Sequence, residues 1–307
     1  MRNGPRSVTW GPSPRYAPMA YPLEYHCVLT NGLTLHVVQC VLAAGPLVVV
    51  LHGLLEFWYA WRHQIGSLAD AGYRAWAPDQ RGYNLSDKPR SVRAYAINEL
   101  AADVLGLLDA AGRTTAAVVG HDWGAAVTWY LAANFPARIR RAAVLNVPHS
   151  QALTGALHQQ PRQLLKSWYI FFLQLPWVPE TLARLRGGRA ARQVLRRTSC
   201  PGTLSDVDLA EYQAAWVQPG ALRSMINWYR AAVRFARRLG QTGHVAVPLH
   251  IIWVRHDAFL STNLAQQSLA FCDDGRLTYL EASHWVQHEE AAQVNQLLIE
   301  FLRETPV

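Results

Sequence analysis

The segment 118–125 limits most strongly what this chain can fold into. It reads Val-Val-Gly-His-Asp-Trp-Gly-Ala, so an apolar run leads to an acid between two glycines, and a helical pattern over 126–134 follows. A strand that turns sharply into a helix needs small residues beside the turn, and the turn presents its central side chain at the edge of the sheet. That side chain is Asp122, which can attack an sp³ carbon without first losing a proton. We therefore predict that Asp122 is a nucleophile that forms an alkyl-enzyme ester.

Strand-like and helical patterns alternate through most of the chain. The dipeptide Asn31-Gly32 lies between two β-rich runs and predicts a hairpin turn. Further strand-like runs, most of them continuously apolar, are typical of parallel strands buried on both faces. They occupy residues 46–52, 73–78, 116–120, 142–147, 248–254 and 276–280. The predicted fold class is therefore α/β, with a mostly parallel sheet and helices on both of its faces.

One region interrupts this alternation. From about residue 148 to 243 the sequence has only helical and loop patterns, rich in Trp, Arg and Leu. We predict an inserted helical unit at 149–244 and a sheet core made of 1–148 and 245–307. The insertion is expected over the C-terminal ends of the strands, where open α/β sheets bind ligands.

Composition excludes several other classes of protein. Half of the 307 residues are hydrophobic and 16% are charged, which argues against a disordered chain. The net charge is +8, but the basic stretch 184–197 comes without a nucleic-acid-binding motif, so we interpret it as a solvated helical face and expect no nucleic acid partner. The four cysteines are scattered, which disfavours a disulfide framework. Residues 1–22 lack an apolar signal segment and no run is long enough to span a bilayer, so a cytoplasmic location is predicted.

Hydrolysis of an ester on Asp122 requires a base, and the base requires an orienting partner. His284 follows the last predicted strand, and Asp257 follows the strand before it. This order of nucleophile, acid and base fits a sheet of this kind. Asp273 and Asp274 are rival acids, but both precede the last strand instead of following the previous one. We predict the triad Asp122, Asp257 and His284.

Backbone N–H groups are expected to stabilise the oxyanion of the second step. One belongs to Trp123, directly after the nucleophile, and the other to Leu54, in the loop after the first buried strand. A metal site is the alternative use of the histidines, since His288 lies four residues after His284. No third ligand lies at a suitable spacing, so we predict no metal and no cofactor, and we expect His288 to be exposed on a helix.

Five motifs in the right order resemble those of the epoxide hydrolases with the α/β-hydrolase fold, the soluble epoxide hydrolase-like family. They are HGLLEFWY at 52–59, DQRGYNLS at 79–86, GHDWG at 120–124, SWYIFF at 167–172 and NWYR at 227–230. The resemblance runs from about residue 21 to 301. It implies a helical cap, or lid, at 149–244 and the detoxifying conversion of a hydrophobic epoxide and water to a vicinal diol. Leu55, Asn84 and Ala125 depart from the family pattern, which leaves the substrate range open.

The resemblance also implies roles for individual residues. Tyr169 and Tyr229 match the two cap tyrosines, whose phenols would stabilise the oxygen of the opening ring. Glu56 would help to hold the hydrolytic water, although a purely structural carboxylate is an equal alternative. The residues expected around the substrate are Phe57, Trp168, Phe172 and Trp285.

Three other functions remain to be weighed. A haloalkane or haloacid dehalogenase would use the same fold and nucleophile, but Leu54 stands where the former often has Asn, and Trp123 where fluoroacetate-type enzymes have Arg. A non-catalytic binding protein would be expected to have lost at least one catalytic position, and an esterase would have Ser at 122. The sequence leaves open which epoxide is used, with what regiochemistry and enantiopreference, and whether the chain forms a homodimer.

Overall fold

A nine-stranded sheet forms the centre of the part of the chain that the structure describes. This structure is a computed structural model, and it describes residues 8–10, 22–40, 45–184, 188–236 and 243–304. The strands are β1 (Val8–Trp10), β2 (Leu23–Thr30), β3 (Leu33–Cys40), β4 (Leu47–Leu51), β5 (Arg74–Pro78), β6 (Ala116–His121), β7 (Ile139–Leu145), β8 (Leu249–Val254) and β9 (Gly275–Leu280). Their order across the sheet is β1-β2-β3-β5-β4-β6-β7-β8-β9.

The sheet is antiparallel at one end and parallel over the rest. Strands β1, β2, β3 and β5 pair antiparallel in turn, and all pairs from β5 through β4 to β9 are parallel. The hairpin turn has Asn31 at φ 45° and Gly32 at φ 74°, as a two-residue turn with positive φ requires. Every residue of β4, β6 and β8 is buried, because helices cover both faces of these strands. The predicted α/β class is confirmed.

Helices connect the strands and form the inserted unit. Those of the core are α1 (Arg62–Asp70), α2 (Ile97–Ala110), α3 (Trp123–Asn134), α11 (Asn263–Leu269), α12 (Val286–Glu289) and α13 (Ala291–Arg303). Those between β7 and β8 are α4 (Ser150–Gln159), α5 (Pro161–Lys166), α6 (Trp168–Phe172), α7 (Val178–Arg184), α8 (Arg189–Thr198), α9 (Asp206–Trp216) and α10 (Ala221–Arg234). We call α4–α10 the cap. The described part of 149–244 contains no strand. Just beyond it, Val245 forms an isolated bridge with Cys272. The domain boundaries at 148/149 and 244/245 stay a prediction.

Polar contacts fix the cap on the core. The indole N–H of Trp216 donates to the Leu55 carbonyl (2.8 Å), and that of Trp228 donates to the Arg81 carbonyl (3.0 Å). The Tyr95 hydroxyl bonds the hydroxyl of Ser224 on α10 (2.8 Å). The bonds of Trp228 and Tyr95 are buried, so leaving either unmade would cost about 1–3 kcal/mol. The cap is thereby held in a defined position over the strand ends.

Some boundaries differ from those predicted. Helix α3 begins at Trp123 instead of residue 126, because the turn leads directly into the helix. Strand β7 begins at Ile139 and includes Arg140 and Arg141, whose charge hides the strand pattern; Arg141 is buried and pairs with Glu304 near the end of the chain.

The basic stretch forms the exposed face of α8, as predicted, although 185–187 lie outside the described residues. Residues 1–7 and 11–21 also lie outside the described residues. No signal segment is predicted there, and the family resemblance begins at about residue 21. None of the described helices has the length and apolar character needed to cross a membrane.

Candidate active site

The turn between β6 and α3 holds Asp122 in a strained conformation. Asp122 has φ 46° and ψ −119°, a combination that residues other than glycine rarely adopt. The backbones around it approach closely: a Cβ on Gly120 would lie 2.2 Å from the Gly124 carbonyl oxygen, and one on Gly124 would lie 2.1 Å from the Leu51 carbonyl oxygen. Only glycine fits at these two positions. The turn therefore keeps the half-buried Asp122 carboxylate at the C-terminal edge of the sheet.

The loop after β4 supplies a backbone donor to this carboxylate. The N–H of Leu54 donates to Oδ2 of Asp122 over 2.7 Å. The loop can approach so closely because residue 53 is glycine; a Cβ there would lie 2.6 Å from the Asp122 Cβ. Trp123 is the first residue of α3, where backbone N–H groups have no partner within the helix. The Leu54 N–H thus bonds Asp122, and Trp123 directly follows Asp122; their role as oxyanion donors stays a prediction.

The structure brings the predicted base and acid together. Nδ1 of His284 lies 2.7 Å from Oδ2 of Asp257, and both side chains are buried. The other oxygen of Asp257 accepts the N–H groups of Phe259 (2.7 Å) and Leu260 (3.0 Å). Burial alone would raise the pKa of Asp257, but the charge and hydrogen bond of His284 and these two N–H groups lower it below its ordinary value. Asp257 is therefore an ionised partner that orients the imidazole.

Three carboxylates act on the pKa of His284. Burial favours the neutral imidazole and would lower the pKa. Asp257, through its charge and hydrogen bond, and the charges of Asp122 and Glu56 outweigh burial and raise the pKa of His284 to about 9. This raised pKa favours the protonated imidazole of His284 at neutral pH, next to the carboxylate of Asp122.

Hydrogen bonds fix the backbone of His284 as well as its ring. The carbonyl oxygen of His284 accepts from Nδ2 of Asn146 (2.7 Å) and bonds Nε2 of His121 (2.9 Å). Asn146 follows β7 and has φ 55°. Neither residue has a role predicted from the sequence, where His121 is only part of the turn motif at 120–124. Both are positioning residues for His284.

Glu56 lies at the centre of a buried network behind the nucleophile. It is 1% exposed, and four groups surround its two oxygens: Gly53 N–H (3.0 Å), His121 Nδ1 (2.9 Å), Gln287 Nε2 (2.9 Å) and His288 Nε2 (3.0 Å). Burial opposes ionisation, but His121 and His288 outweigh it and hold the pKa of Glu56 far below its ordinary value. Glu56 is thus an ionised acceptor whose contacts are all to the protein.

The prediction that His288 is exposed is wrong. His288 is 9% exposed, because α12 turns back under the loop that carries Glu56. Its Nδ1 accepts from the guanidinium of Arg62 (3.0 Å), so its Nε2 is the donor to Glu56. The four-residue spacing from His284 does not create a shared metal site, and the described residues contain no group of three or more His, Cys, Asp or Glu arranged to hold a metal.

Two cap tyrosines contact each other, and one of them also contacts the residue after Asp122. The rings of Tyr169 on α6 and Tyr229 on α10 meet edge to face, with centroids 5.7 Å apart, and Tyr229 also contacts Trp123 at 4.9 Å. Burial and then the nearby negative charge of Asp122 raise the pKa of the Tyr169 phenol. Burial, Tyr169 and Asp122 raise that of Tyr229. Both phenols therefore keep their protons over the whole physiological range.

The other predicted substrate residues have different surroundings. Trp285 is buried, lies edge to face with His284 at 5.3 Å, and donates to Thr198 Oγ1 (2.9 Å). Phe57 is buried in an aromatic cluster with Tyr59 and Tyr212. Phe172 is half-buried, whereas Trp168 beside it is 62% exposed. Contact of these four with a substrate stays a prediction.

Sequence reasoning missed one further phenol, Tyr83. Its ring is completely buried against His52 (centroids 4.6 Å apart) and Trp228 (5.5 Å). Its hydroxyl has no hydrogen-bond partner among the described residues. Burial and the charges of Asp122 and Glu56 raise its pKa. The motif at 79–86 contained this tyrosine, but nothing in the sequence distinguished it from packing.

Comparison with known proteins agrees with this geometry. Residues 46–291 match the family model described as the alpha/beta hydrolase fold. The chain therefore belongs to the α/β-hydrolase family, and its fold is the one the resemblance implied.

Individual relatives indicate which enzymes of the α/β-hydrolase family this chain resembles. The AB hydrolase superfamily protein YfhM of Bacillus subtilis is 43% identical over 90% of this chain and 96% of its own length. Human epoxide hydrolase 4 is 34% identical over 92% of this chain and 80% of its own. The crystal structure of the Bacillus megaterium epoxide hydrolase in complex with an inhibitor superposes with a TM-score of 0.82 at 27% identity, over 91% of this chain and all of that one. The chain is an enzyme of the epoxide hydrolase family.

Proposed function

We propose that this enzyme converts a hydrophobic epoxide to a vicinal diol through an ester on Asp122. The observation that carries the proposal is the meeting of one carboxylate with two phenols. Asp122 extends from the core, and the cap supplies Tyr169 and Tyr229, whose rings meet at 5.7 Å; the Tyr229 ring also contacts Trp123, the residue after Asp122, at 4.9 Å. Burial and the charge of Asp122 raise the pKa of both phenols. A carboxylate nucleophile with two protonated phenols nearby suits the opening of a strained three-membered ether.

In the first step a carboxylate oxygen of Asp122 attacks one epoxide carbon. The carbon–oxygen bond to the ring oxygen breaks, and that oxygen leaves as an alkoxide still attached to the neighbouring carbon. Tyr169 and Tyr229 donate hydrogen bonds to the developing charge. The proton that neutralises the alkoxide passes from a phenol, and the phenol is restored from the protonated His284.

In the second step His284 acts as a base. The ester on Asp122 is neutral, so the carboxylate charge that had raised the pKa of His284 is reduced, and the imidazole has given up its proton. Nδ1 stays bonded to Asp257, which leaves Nε2 to take a proton from water. The hydroxide attacks the carbonyl carbon of the ester, and the N–H groups of Leu54 and Trp123 stabilise the oxyanion. When this intermediate collapses, the bond to the alkyl oxygen breaks, that oxygen takes the proton of the newly added hydroxyl group, and the diol leaves. Asp122 and protonated His284 are regenerated.

Glu56 has an indirect part in this scheme. All four hydrogen bonds to it come from the protein, through Gly53, His121, Gln287 and His288. His121 in turn bonds the carbonyl of the base. We infer that Glu56 positions His284 and the Leu54 loop, which favours the structural alternative over direct contact with water. The proposed scheme uses no cofactor or metal. We also propose a cytoplasmic location.

A single-turnover labelling experiment tests the proposal. Excess enzyme is mixed with styrene oxide in ¹⁸O-water, and the protein is digested and analysed by mass spectrometry. Because water attacks the ester carbonyl, label is expected in the peptide that contains Asp122. The Asp122→Ala variant should form no diol. Label found only in the diol would mean that water attacks the epoxide directly, and the covalent route would be rejected.

A further inference from the structure

Large apolar side chains are exposed along one stretch of the cap. Of the fourteen large apolar side chains that are well exposed among the described residues, eight lie between residues 164 and 182. The most exposed are Leu165 (73%), Trp168 (62%) and Trp177 (80%). We use the name apolar cap surface for Leu165, Trp168, Phe171, Leu175, Trp177 and Leu182. Large exposed apolar patches on a folded protein mark sites of interaction with a partner or a membrane.

The backbone beneath this surface is anchored. Gln174 donates through Nε2 to the carbonyls of Ile170 (3.0 Å) and of Tyr229 on α10 (3.2 Å). The guanidinium of Arg230 donates to the Leu175 carbonyl (2.6 Å) and pairs with Glu180. Hydrogen bonds and an ion pair to α10 therefore fix the backbone that carries the exposed apolar side chains.

The short helix α6 has two different faces. Tyr169 packs against Tyr229 and Phe259 near the nucleophile, whereas its neighbours Trp168 and Phe171 are exposed. The apolar cap surface thus lies on the outer side of the element that carries a proposed catalytic phenol.

The charge around this surface is positive. Between residues 161 and 198 the only described acidic side chain is Glu180, and Arg230 neutralises it. Helix α8, which packs against α7, exposes Arg189 and Arg197, and Arg184 is exposed at the end of α7. Arg192 and Arg196 share Asp206 as a partner. The whole chain carries a net charge of +8.

We propose that the apolar cap surface and the arginines of α8 form a docking surface for an anionic lipid bilayer. Apolar side chains that include tryptophan enter the boundary between headgroups and acyl chains, and basic residues at the rim attract anionic lipids. A second copy of this chain is a poorer occupant, because it would bring two basic helices together. The docking itself is independent of the reaction. Its use for taking up a hydrophobic epoxide from lipid rests on the proposed function.

Vesicle flotation of the purified full-length protein tests the docking. The vesicles are phosphatidylcholine alone or with roughly 30 mol % phosphatidylglycerol, and binding is expected only to the anionic ones. The double variant Leu165→Gln, Trp177→Asn should bind about tenfold less or weaker still, since two of the most exposed apolar groups are lost. Asn suits position 177, where φ is 59°. Arg189→Gln, Arg197→Gln should lower binding similarly, and so should about 0.5 M salt.

A matched variant controls for the loss of any exposed apolar group. Leu29 is 61% exposed on β2, outside the cap, so Leu29→Gln should leave binding unchanged. Thermal unfolding of each variant checks that it folds. The proposal is overturned if the wild type does not float with anionic vesicles, or if the cap double variant floats as well as Leu29→Gln. The proposal is also overturned if two results are found together: the wild type is a dimer that does not bind vesicles, and the cap double variant is a monomer by light scattering.

Discussion

His284 and Asp257 are joined by a hydrogen bond of 2.7 Å between Nδ1 and Oδ2, which leaves Nε2 as the nitrogen free to exchange a proton in the site. The carbonyl of His284 is held separately, by Asn146 and His121. Ring orientation and backbone position are thus set by different contacts. Under the proposed mechanism, Nε2 is the nitrogen that transfers a proton in both half-reactions.

Replacing the base should separate the two half-reactions. In His284→Gln, Asp122 can still attack the epoxide, but no group remains to activate water. We expect the ester to form and persist, with steady-state diol formation reduced by about 10²-fold or more. Intact-protein mass spectrometry should show the mass of the wild type plus one epoxide. The assignment of the base would be rejected if diol formation continued at the wild-type rate and no adduct appeared.

The same histidine should make stability depend on pH. The pKa of His284 rises from its ordinary 6.5 to about 9 on folding, mainly because neighbouring carboxylates outweigh burial. Since the folded value is the higher one, its contribution is fully present below pH 6.5 and is lost as the pH rises through 9. A rise of this size corresponds to at most about 3 kcal/mol.

Urea unfolding of the wild type and of His284→Gln across this pH range measures the contribution. The difference between their unfolding free energies should shrink between pH 6.5 and 9, by up to about 3 kcal/mol. A difference that stays constant over this range would show that His284 is not charged in the resting fold.

Removing the charge of Glu56 should affect both stability and the second half-reaction. The Gly53 N–H, Gln287 Nε2 and His288 Nε2 donate to its two oxygens, so Glu56→Gln turns an amide N–H₂ toward at least one donor. We expect a loss of about 1–3 kcal/mol in stability, as for a buried donor left without its acceptor. Hydrolysis of the ester should slow more than its formation, measured by stopped-flow kinetics with excess enzyme.

An exposed glutamate provides the control for this variant. Glu300→Gln on α13 should change stability by no more than about 0.5 kcal/mol. If Glu56→Gln also left stability and ester hydrolysis unchanged, Glu56 would not position the base.

The sequence predicted the strands and the turn at Asp122 because those signals are local. Buried parallel strands are apolar throughout, and the turn at Asp122 needs glycines at fixed positions, so both can be recognised within a few residues. The network around Glu56 could not be predicted in this way. Its members at 56, 121 and 288 are far apart in the chain, and His288 is buried only because α12 folds under the loop after β4. The exposure of Trp168 was also unpredictable, because aromatic side chains at helical spacing are usually buried.

The two cap phenols distinguish epoxide opening from dehalogenation on the same fold. A departing epoxide oxygen becomes an alkoxide and needs hydrogen-bond donors, whereas a halide leaves without a proton. Loss of one preorganised donor costs about 10²–10³ in rate when it acts alone, so with the second phenol in place each of Tyr169→Phe and Tyr229→Phe should cost less than that. The double variant should lose nearly all formation of the ester from styrene oxide. Both positions lie in aromatic surroundings, so Phe should preserve the packing that is seen between the two rings at 5.7 Å.

The measurement is diol formation from styrene oxide alongside bromide release from 1-bromobutane, for the wild type and all three variants. We expect the wild type to form diol and to release little or no bromide. Rapid bromide release that survives the double substitution, with no diol formed from any epoxide, would show that the enzyme is a dehalogenase.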